Sequence, residues 1–343
     1  MFKDTVCFDD VLLVPQKSEI VSRSEIDLTT TIGEKTFRLP IVSSPMDTVT
    51  EASMALSMFA HGGLGVVHRY NTTKEQCSIV RDIAHSLEET GDSNINNIAA
   101  AIGTSSDFLD RSRALYDAGT RIICIDVAHG HHTLVEKSIK TLRDIFSNKI
   151  TIIAGNVATA EGYKELSEWG ADAVRIGIGG GSICSTRIQT GHGVPTLQSV
   201  LDCRDVADAT IIADGGIKTA GDIVKALAAG ADMVMLGSML AGTKETPGEV
   251  FQSEVKKYKV YRGMASPEAQ IAWRGNARSL EGISTTVPYK GEVSSILLKL
   301  DKNIKSGLSY TGAKNLKDLR SKARFVKQTS SGLSESRTHI LNR

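Results

Sequence analysis

The sequence predicts a (β/α)8 barrel, built as a single domain with a C-terminal lid and tail. Three observations carry that reading. Eight short apolar, β-branched runs recur along the chain, helical periodicity fills the gaps between them, and polar or small residues collect where each run ends. The runs are apolar throughout rather than alternating, as suits strands covered on both faces. An open doubly wound sheet is the weaker alternative, because no GxGxxG follows the first strand with an acidic residue about twenty positions on.

Taken in order, the runs are LPIVSS (39–44), GLGVVH (63–68), NIAAAIG (97–103) and RIICIDV (121–127), then ITIIAG (150–155), AVRIGIG (173–179), TIIADGG (210–216) and MVMLGS (233–238). Helical patterns such as EASMALSMFA, KEQCSIVRDIAHSL, FLDRSRALYDAG and AGDIVKALAAGA lie between them. After about residue 250 the rhythm gives way to a polar extension, with a lid expected over about 259–292 and a tail over about 325–343. The tail is open to two readings, disorder or binding to a neighbouring subunit.

Composition bounds the partners. The 343 residues can bury a substantial core, and 41% hydrophobic with 23% charged residues is an ordinary globular balance. Forty basic against 39 acidic side chains leave a net charge of +1, with no long-range pull toward nucleic acid or an anionic membrane. No apolar run is long enough for a bilayer, and MFKDTVCFDD lacks an apolar signal core, so a cytoplasmic protein is expected. Five scattered cysteines (Cys7, Cys77, Cys124, Cys184, Cys203) form no CxxC pair. Four sit where a buried thiol is the expectation; Cys184 lies in a glycine-rich loop.

In this architecture chemistry belongs to the loops after the strands. ADGG (213–216) and LGS (236–238) end neighbouring strands, and their glycines let backbone N–H groups approach an anion. Paired loops there point to a phosphate; the alternative is that the glycines only make tight turns. Asp214 would repel a phosphate but accept hydrogen bonds from ribose hydroxyls, which together describe a nucleotide. GIGGGSIC lacks the Lys-Ser/Thr of a triphosphate loop, although Ser182 remains a donor for a monophosphate. Cys184 is open to a structural or a nucleophilic reading. The histidines of AHGHH (128–132) lack a spaced carboxylate, so helix-start or supporting roles are expected rather than metal binding. Glu281 is either a solvated loop carboxylate or an acid/base group carried by the lid.

SSPMDTVTE (43–51), GIGGGSICSTRIQTGHGVP (177–195), ADGGIKTAGDI (213–223), LGSMLAGT (236–243) and YRGMAS (261–266) together resemble the IMP dehydrogenase/GMP reductase family. The similarity runs from FDDVLLVP (8–15) to GLSESRTHI (332–340). It implies that Cys184 attacks C2 of a purine nucleotide to form a covalent adduct. It implies that Ser182, Gly216, Gly237 and Ser238 hold the phosphate and Asp214 the ribose. Ser44, Met46, Tyr261, Gly263 and Met264 would line the nucleotide, and Asp126 and Asn156 would meet the nicotinamide cofactor and substrate. Carbonyls of Gly179, Gly181 and Cys184 would hold a monovalent cation, typically potassium, although Gly180 stands where the family usually has proline and Ser185 where threonine is usual.

Two chemistries branch from that resemblance. A dehydrogenase oxidises IMP with NAD and hydrolyses the adduct to XMP, activating water with an Arg-Tyr pair on a long flap. A reductase expels ammonia from GMP and adds hydride from NADPH, and similar enzymes use a Thr–Glu pair, here Thr186 and Glu281. Only sixteen residues, ASPEAQIAWRGNARSL, separate Met264 from Glu281, and they hold no Arg-Tyr pair. TVPYKG after Glu281 also resembles the reductase, whereas GSICSTRIQTGHGVP, GSMLAGT and ESRTHI resemble a dehydrogenase as much or more. HRYNTTKEQ (68–76) runs straight into the next helix, without the CBS module usual in dehydrogenases. GMP reductase is the expectation, with a CBS-less IMP dehydrogenase and a catalytically inactive nucleotide-binding barrel as alternatives. The resemblance also implies a homotetramer.

Overall fold

Eight strands pair in parallel and close on themselves. They are β1 (Ile41–Ser43), β2 (Leu64–Val67), β3 (Ala99–Ile102), β4 (Ile122–Asp126), β5 (Thr151–Val157), β6 (Ala173–Ile176), β7 (Thr210–Asp214) and β8 (Met233–Leu236). Closure is made by β8 on β1, with Val234 opposite Ile41 and Leu236 opposite Ser43. The computed structural model describes residues 3–254, 256–277, 280–336 and 338. Residues in β1, β2, β3, β6 and β8 are buried without exception, which is why the sequence shows continuous rather than alternating apolar runs.

Helices α1 (Ala52–Ala60), α2 (Thr73–Thr90), α3 (Phe108–Ala118) and α4 (Thr133–Phe146) cover the first half of the barrel. The second half is covered by α5 (Ala160–Glu168), α6 (Thr196–Cys203), α7 (Ala220–Ala229) and α8 (Val293–Thr311). Their ends are set by local chemistry. Thr72 and Glu75 satisfy each other's backbone N–H groups at the start of α2, and Thr219 and Asp222 do the same for α7; a cap of this kind stabilises a helix by about 1 kcal/mol. His132 takes the helix-start role at α4, its Nδ1 accepting the Leu134 N–H at 3.0 Å.

The two ends of the barrel differ. A hairpin of Thr30–Ile32 and Lys35–Phe37 covers the end where the strands begin. Ile32 and Phe37 are buried there, and the Thr31 carbonyl accepts a hydrogen bond from Thr210 at the start of β7. At the other end, the chain leaves β8 and builds an antiparallel sheet from Phe251–Gln252, Lys257–Arg262 and Ser284–Pro288. The helix Pro267–Arg274 sits between the last two of these strands, capped by Ser266 and stopped by Gly275 in the left-handed region. This sheet begins ahead of the expected lid. Arg278 and Ser279 of the lid, and Arg337 and 339–343 of the tail, lie outside the described residues.

Several expectations differ from the structure in detail. The sixth apolar run ends as a strand at Ile176, because Gly177 turns to φ 147° and brings its Cα against the Asp214 carbonyl, where a Cβ would sit 1.9 Å away. The tail starts with Phe325–Lys327 paired antiparallel to Val11–Leu13, followed by the helix Ser330–Glu335. Of the four cysteines expected to be buried, Cys77, Cys124 and Cys203 are, while Cys7 is half-buried near the surface.

Candidate active site

At the rim where the strands end, a cavity of about 330 Å³ opens beneath the lid. Every residue singled out from the sequence as a site candidate lines it, from Ser44 and Met46 after β1 to Glu281 in the lid. At some rim positions close packing of backbones requires glycine. At Gly215 (φ 93°) a Cβ would meet the Gly181 nitrogen at 3.0 Å, so the loops after β6 and β7 touch main chain to main chain. Gly180 is packed too: a Cβ there would lie 2.7 Å from the Thr196 hydroxyl, so a larger residue would require that side chain to shift.

The loop after β6 presents the cysteine. Cys184 Sγ lies 3.1 Å from Thr186 Oγ1, and that hydroxyl donates to Glu281 Oε2 at 2.9 Å. Main-chain bonds hold loop and lid together: the Ser185 N–H donates to the Glu281 carbonyl at 3.0 Å and the Ile283 N–H to the Ile183 carbonyl at 3.1 Å. A thiol, a hydroxyl and a carboxylate therefore form one hydrogen-bonded line, in which Thr186 and Glu281 are 95 positions apart. Arg187, three residues after the thiol, donates to the Val194 carbonyl at 2.8 Å.

Beneath this line lies a buried ionic network that the sequence reading missed. Arg175, in the middle of β6, donates from Nη1 to Asp126 at 2.5 Å and from Nη2 to Asp214 at 2.8 Å. Asn156 adds its Nδ2 to Asp214 at 2.8 Å and to the Gly177 carbonyl at 2.9 Å, while its Oδ1 is buried without a hydrogen-bond partner. Burial pushes the Asp126 carboxyl up, but the Arg175 and Arg69 guanidinium groups outweigh it and hold the pKa below the usual carboxylate value. Burial also pushes Cys124, beside Arg175 in the floor, up to about 12. The signal for Arg175 was available: a lone arginine inside an apolar parallel strand needs buried carboxylates, and Asp126 and Asp214 end strands on the same rim.

The lid contributes the remaining wall. Tyr261 is buried, and its hydroxyl approaches Gly237 so closely that a Cβ there would stand 2.9 Å from it. Burial raises the Tyr261 phenol, with a hydrogen bond to Ser182 opposing the rise. Arg262 pairs with Asp47 through Nε at 2.9 Å, fastening this strand to the loop after β1. At the mouth, Trp273 stacks on Tyr70 with ring centres 4.3 Å apart and planes 15° from parallel. The Arg69 guanidinium lies 5.3 Å and 5.7 Å from those two rings. Neither Tyr70 nor Trp273 was singled out from the sequence, because contact between an early loop and a late lid leaves no local pattern.

Fold and site define the class: a (β/α)8-barrel enzyme whose reactive groups sit on the C-terminal rim under a lid. The IMP dehydrogenase / GMP reductase domain family matches residues 5–339. The chain belongs to this family of NAD(P)-dependent oxidoreductases. Inosine-5'-monophosphate dehydrogenase of Cryptosporidium parvum is 38% identical to it, over 97% of this chain and 94% of the relative. GMP reductase of Leishmania major is 33% identical, over 98% of this chain and 97% of the relative. That second alignment spans 476 positions, more than this chain's 343 residues, so the relative carries residues that this chain lacks. Among solved structures, a cysteine-to-alanine variant of GMP reductase from Trypanosoma brucei in complex with guanosine 5'-monophosphate superposes with a TM-score of 0.91. It is 30% identical and the match covers 98% of both chains.

Proposed function

We propose that the chain is a GMP reductase, converting GMP to IMP and ammonia with NADPH through a covalent Cys184 adduct. One observation carries the choice. The Cys184–Thr186–Glu281 line is complete under a lid whose sixteen residues before Glu281 contain no Arg-Tyr pair. The line suits proton delivery to a leaving amine.

The proposed chemistry balances along that line. Cys184 Sγ bonds to C2 of the purine, the 2-amino group departs, and the thiol proton passes through Thr186 and Glu281 to leave as ammonia. The nicotinamide, when bound, supplies the hydride that replaces sulfur on C2, and Cys184 is released to be reprotonated. Asp214 receives the ribose hydroxyls, while Ser182, Gly216, Gly237 and Ser238 receive the phosphate, with Ser44, Met46, Tyr261, Gly263 and Met264 around the nucleotide. Asp126 and Asn156 would hold the dinucleotide. The buried, unpaired Oδ1 of Asn156 fits a donor such as a carboxamide or a hydroxyl.

A potassium ion would rest on the carbonyls of Gly179, Gly181 and Cys184. Gly181's carbonyl takes the Cys184 N–H at 3.1 Å on one lone pair, which leaves the other for a cation, and neutral oxygens suit a monovalent ion. The reading includes one catalytic domain without a CBS module, since only residues 68–72 join β2 to α2. It also includes a homotetramer in the cytoplasm. Among the described residues no helix is long and apolar enough to cross a membrane.

The 38% identity to the Cryptosporidium parvum dehydrogenase favours the second reading, IMP to XMP with NAD. Absorbance of the reduced nicotinamide separates them. GMP should drive oxidation of NADPH, with IMP and ammonia as products. Reduction of NAD by IMP, with XMP formed and no GMP-dependent oxidation, would reverse the choice.

A further inference from the structure

Both strands that connect the lid to the barrel are fastened to the loop after β8 by a lysine. Lys259, in Lys257–Arg262, is 2% exposed and donates from Nζ to the carbonyls of Thr243 (3.2 Å) and Thr246. Lys290, just past Ser284–Pro288, donates from Nζ to the carbonyls of Ser238 at 2.7 Å and Met239 at 3.2 Å. Main-chain bonds reinforce the second attachment. The Lys290 N–H donates to the Gly242 carbonyl at 2.8 Å, and the Lys244 N–H to the Gly291 carbonyl at 2.8 Å.

The two lysines hold different stretches of one loop. Lys259 holds its far part, whereas Lys290 holds the stretch whose Gly237 and Ser238 line the cavity. Desolvation alone lowers the Lys290 pKa, with no carboxylate opposing it, while Glu245 partly offsets the fall at Lys259. The ammonium of Lys290 therefore spends its charge on main-chain oxygens. A trans peptide is planar with C=O and N–H opposed, so turning the Ser238 carbonyl toward Lys290 turns the Met239 N–H to the opposite side of the loop. Leu240 and Ala241 are already committed, both donating to the Gly237 carbonyl at 3.0 Å and 2.9 Å.

We propose that Lys290 is a positioning residue for the nucleotide's 5'-phosphate, holding the Ser238 carbonyl outward so that the Met239 N–H faces the anion. The proposal rests on the reading of this loop as the phosphate cradle. It has a second consequence. Lys290 follows the strand that brings Glu281 to Thr186, so a phosphate that tightens the loop also seats the segment carrying the acid. Phosphate affinity and lid position are then linked through one side chain.

The test compares GMP with guanosine, which lacks only the phosphate, on the full-length wild type and on Lys290→Gln, Lys290→Met and Lys290→Arg. Dissociation constants come from calorimetry or competition. The main-chain bonds of Lys290 and Lys244 remain in every variant, so the melting temperature should stay near the wild-type value. Lys290→Gln and Lys290→Met should weaken GMP about tenfold, the loss expected for one charged hydrogen-bonding group, and leave guanosine unchanged. Lys290→Arg should recover most of the GMP affinity. KM for GMP should rise more than kcat falls. Equal weakening of GMP and guanosine, or full GMP affinity in Lys290→Gln, would overturn the role of Lys290. A wild type that binds guanosine as tightly as GMP would instead overturn the phosphate cradle itself, and the proposal with it.

Discussion

The floor and the roof of the cavity are built by different means. The floor consists of Arg175, Asp126 and Asp214 on three barrel strands, with the Arg175 side chain 7% exposed and bonded to both carboxylates. The roof consists of Cys184, Thr186 and Glu281, joined across two loops by hydrogen bonds and backbone pairing. A buried ion pair contributes little net stability but is costly to break, because the surviving charge is stranded. A hydrogen-bonded line at the rim has no such penalty, since its polar groups can turn to water. Floor substitutions should therefore register in stability and roof substitutions in rate.

The strongest attack on that division is at the nucleophile. Cys184→Ser should lower turnover by about a thousandfold or more while nucleotide binding and melting temperature stay near wild type. A Cys184→Ser variant that turns over at the wild-type rate would remove the covalent step. Next in size, Arg175→Met should cost about 3–5 kcal/mol in urea denaturation, because Asp214 loses its cation and Asp126 keeps only Arg69. Unchanged stability would mean that the floor is not held by charge. Glu281→Gln should slow turnover about a hundredfold and alter stability by less than about 0.5 kcal/mol. A large stability loss there would merge roof with floor.

A pH series sharpens the contrast further. Asp126 has a folded-state pKa held below its unfolded value of about 3.9, so its stabilising contribution is present above that pH and is lost as pH falls through the lower, folded value. In Arg175→Met, burial is opposed by Arg69 alone, and the folded pKa of Asp126 should rise toward the unfolded one. That variant should then lose less stability than the wild type as pH is lowered through the carboxylate range. Denaturation midpoints across this range check the sign.

Much of this was legible because of how the barrel is covered. Strands buried on both faces read as continuous apolar runs, so all eight appear in order, and their ends point to the rim. Cys184, Gly216 and Asp214 were visible as polar or small residues at those ends. What escaped notice depends on distant partners. The pairing of Val11–Leu13 with Phe325–Lys327 joins segments of three residues each, too short for periodicity to register. Arg175 was hidden inside an apolar strand, and its meaning lay in Asp126 and Asp214, 49 and 39 positions away. Lys290 acts on carbonyls 52 and 51 residues earlier, through main-chain atoms that side-chain patterns do not describe.

The ring stack at the mouth gives this enzyme an optical property. The chain has two tryptophans: Trp169 follows α5 against His131, while Trp273 lies face to face with Tyr70 under the Arg69 and Arg274 guanidinium groups. Replacing Trp169 with Phe would leave one indole on the lid, whose emission depends on that stack being made. The lid's departure from the rim would then be readable as a colour and intensity change in unlabelled protein, on the timescale of a single turnover.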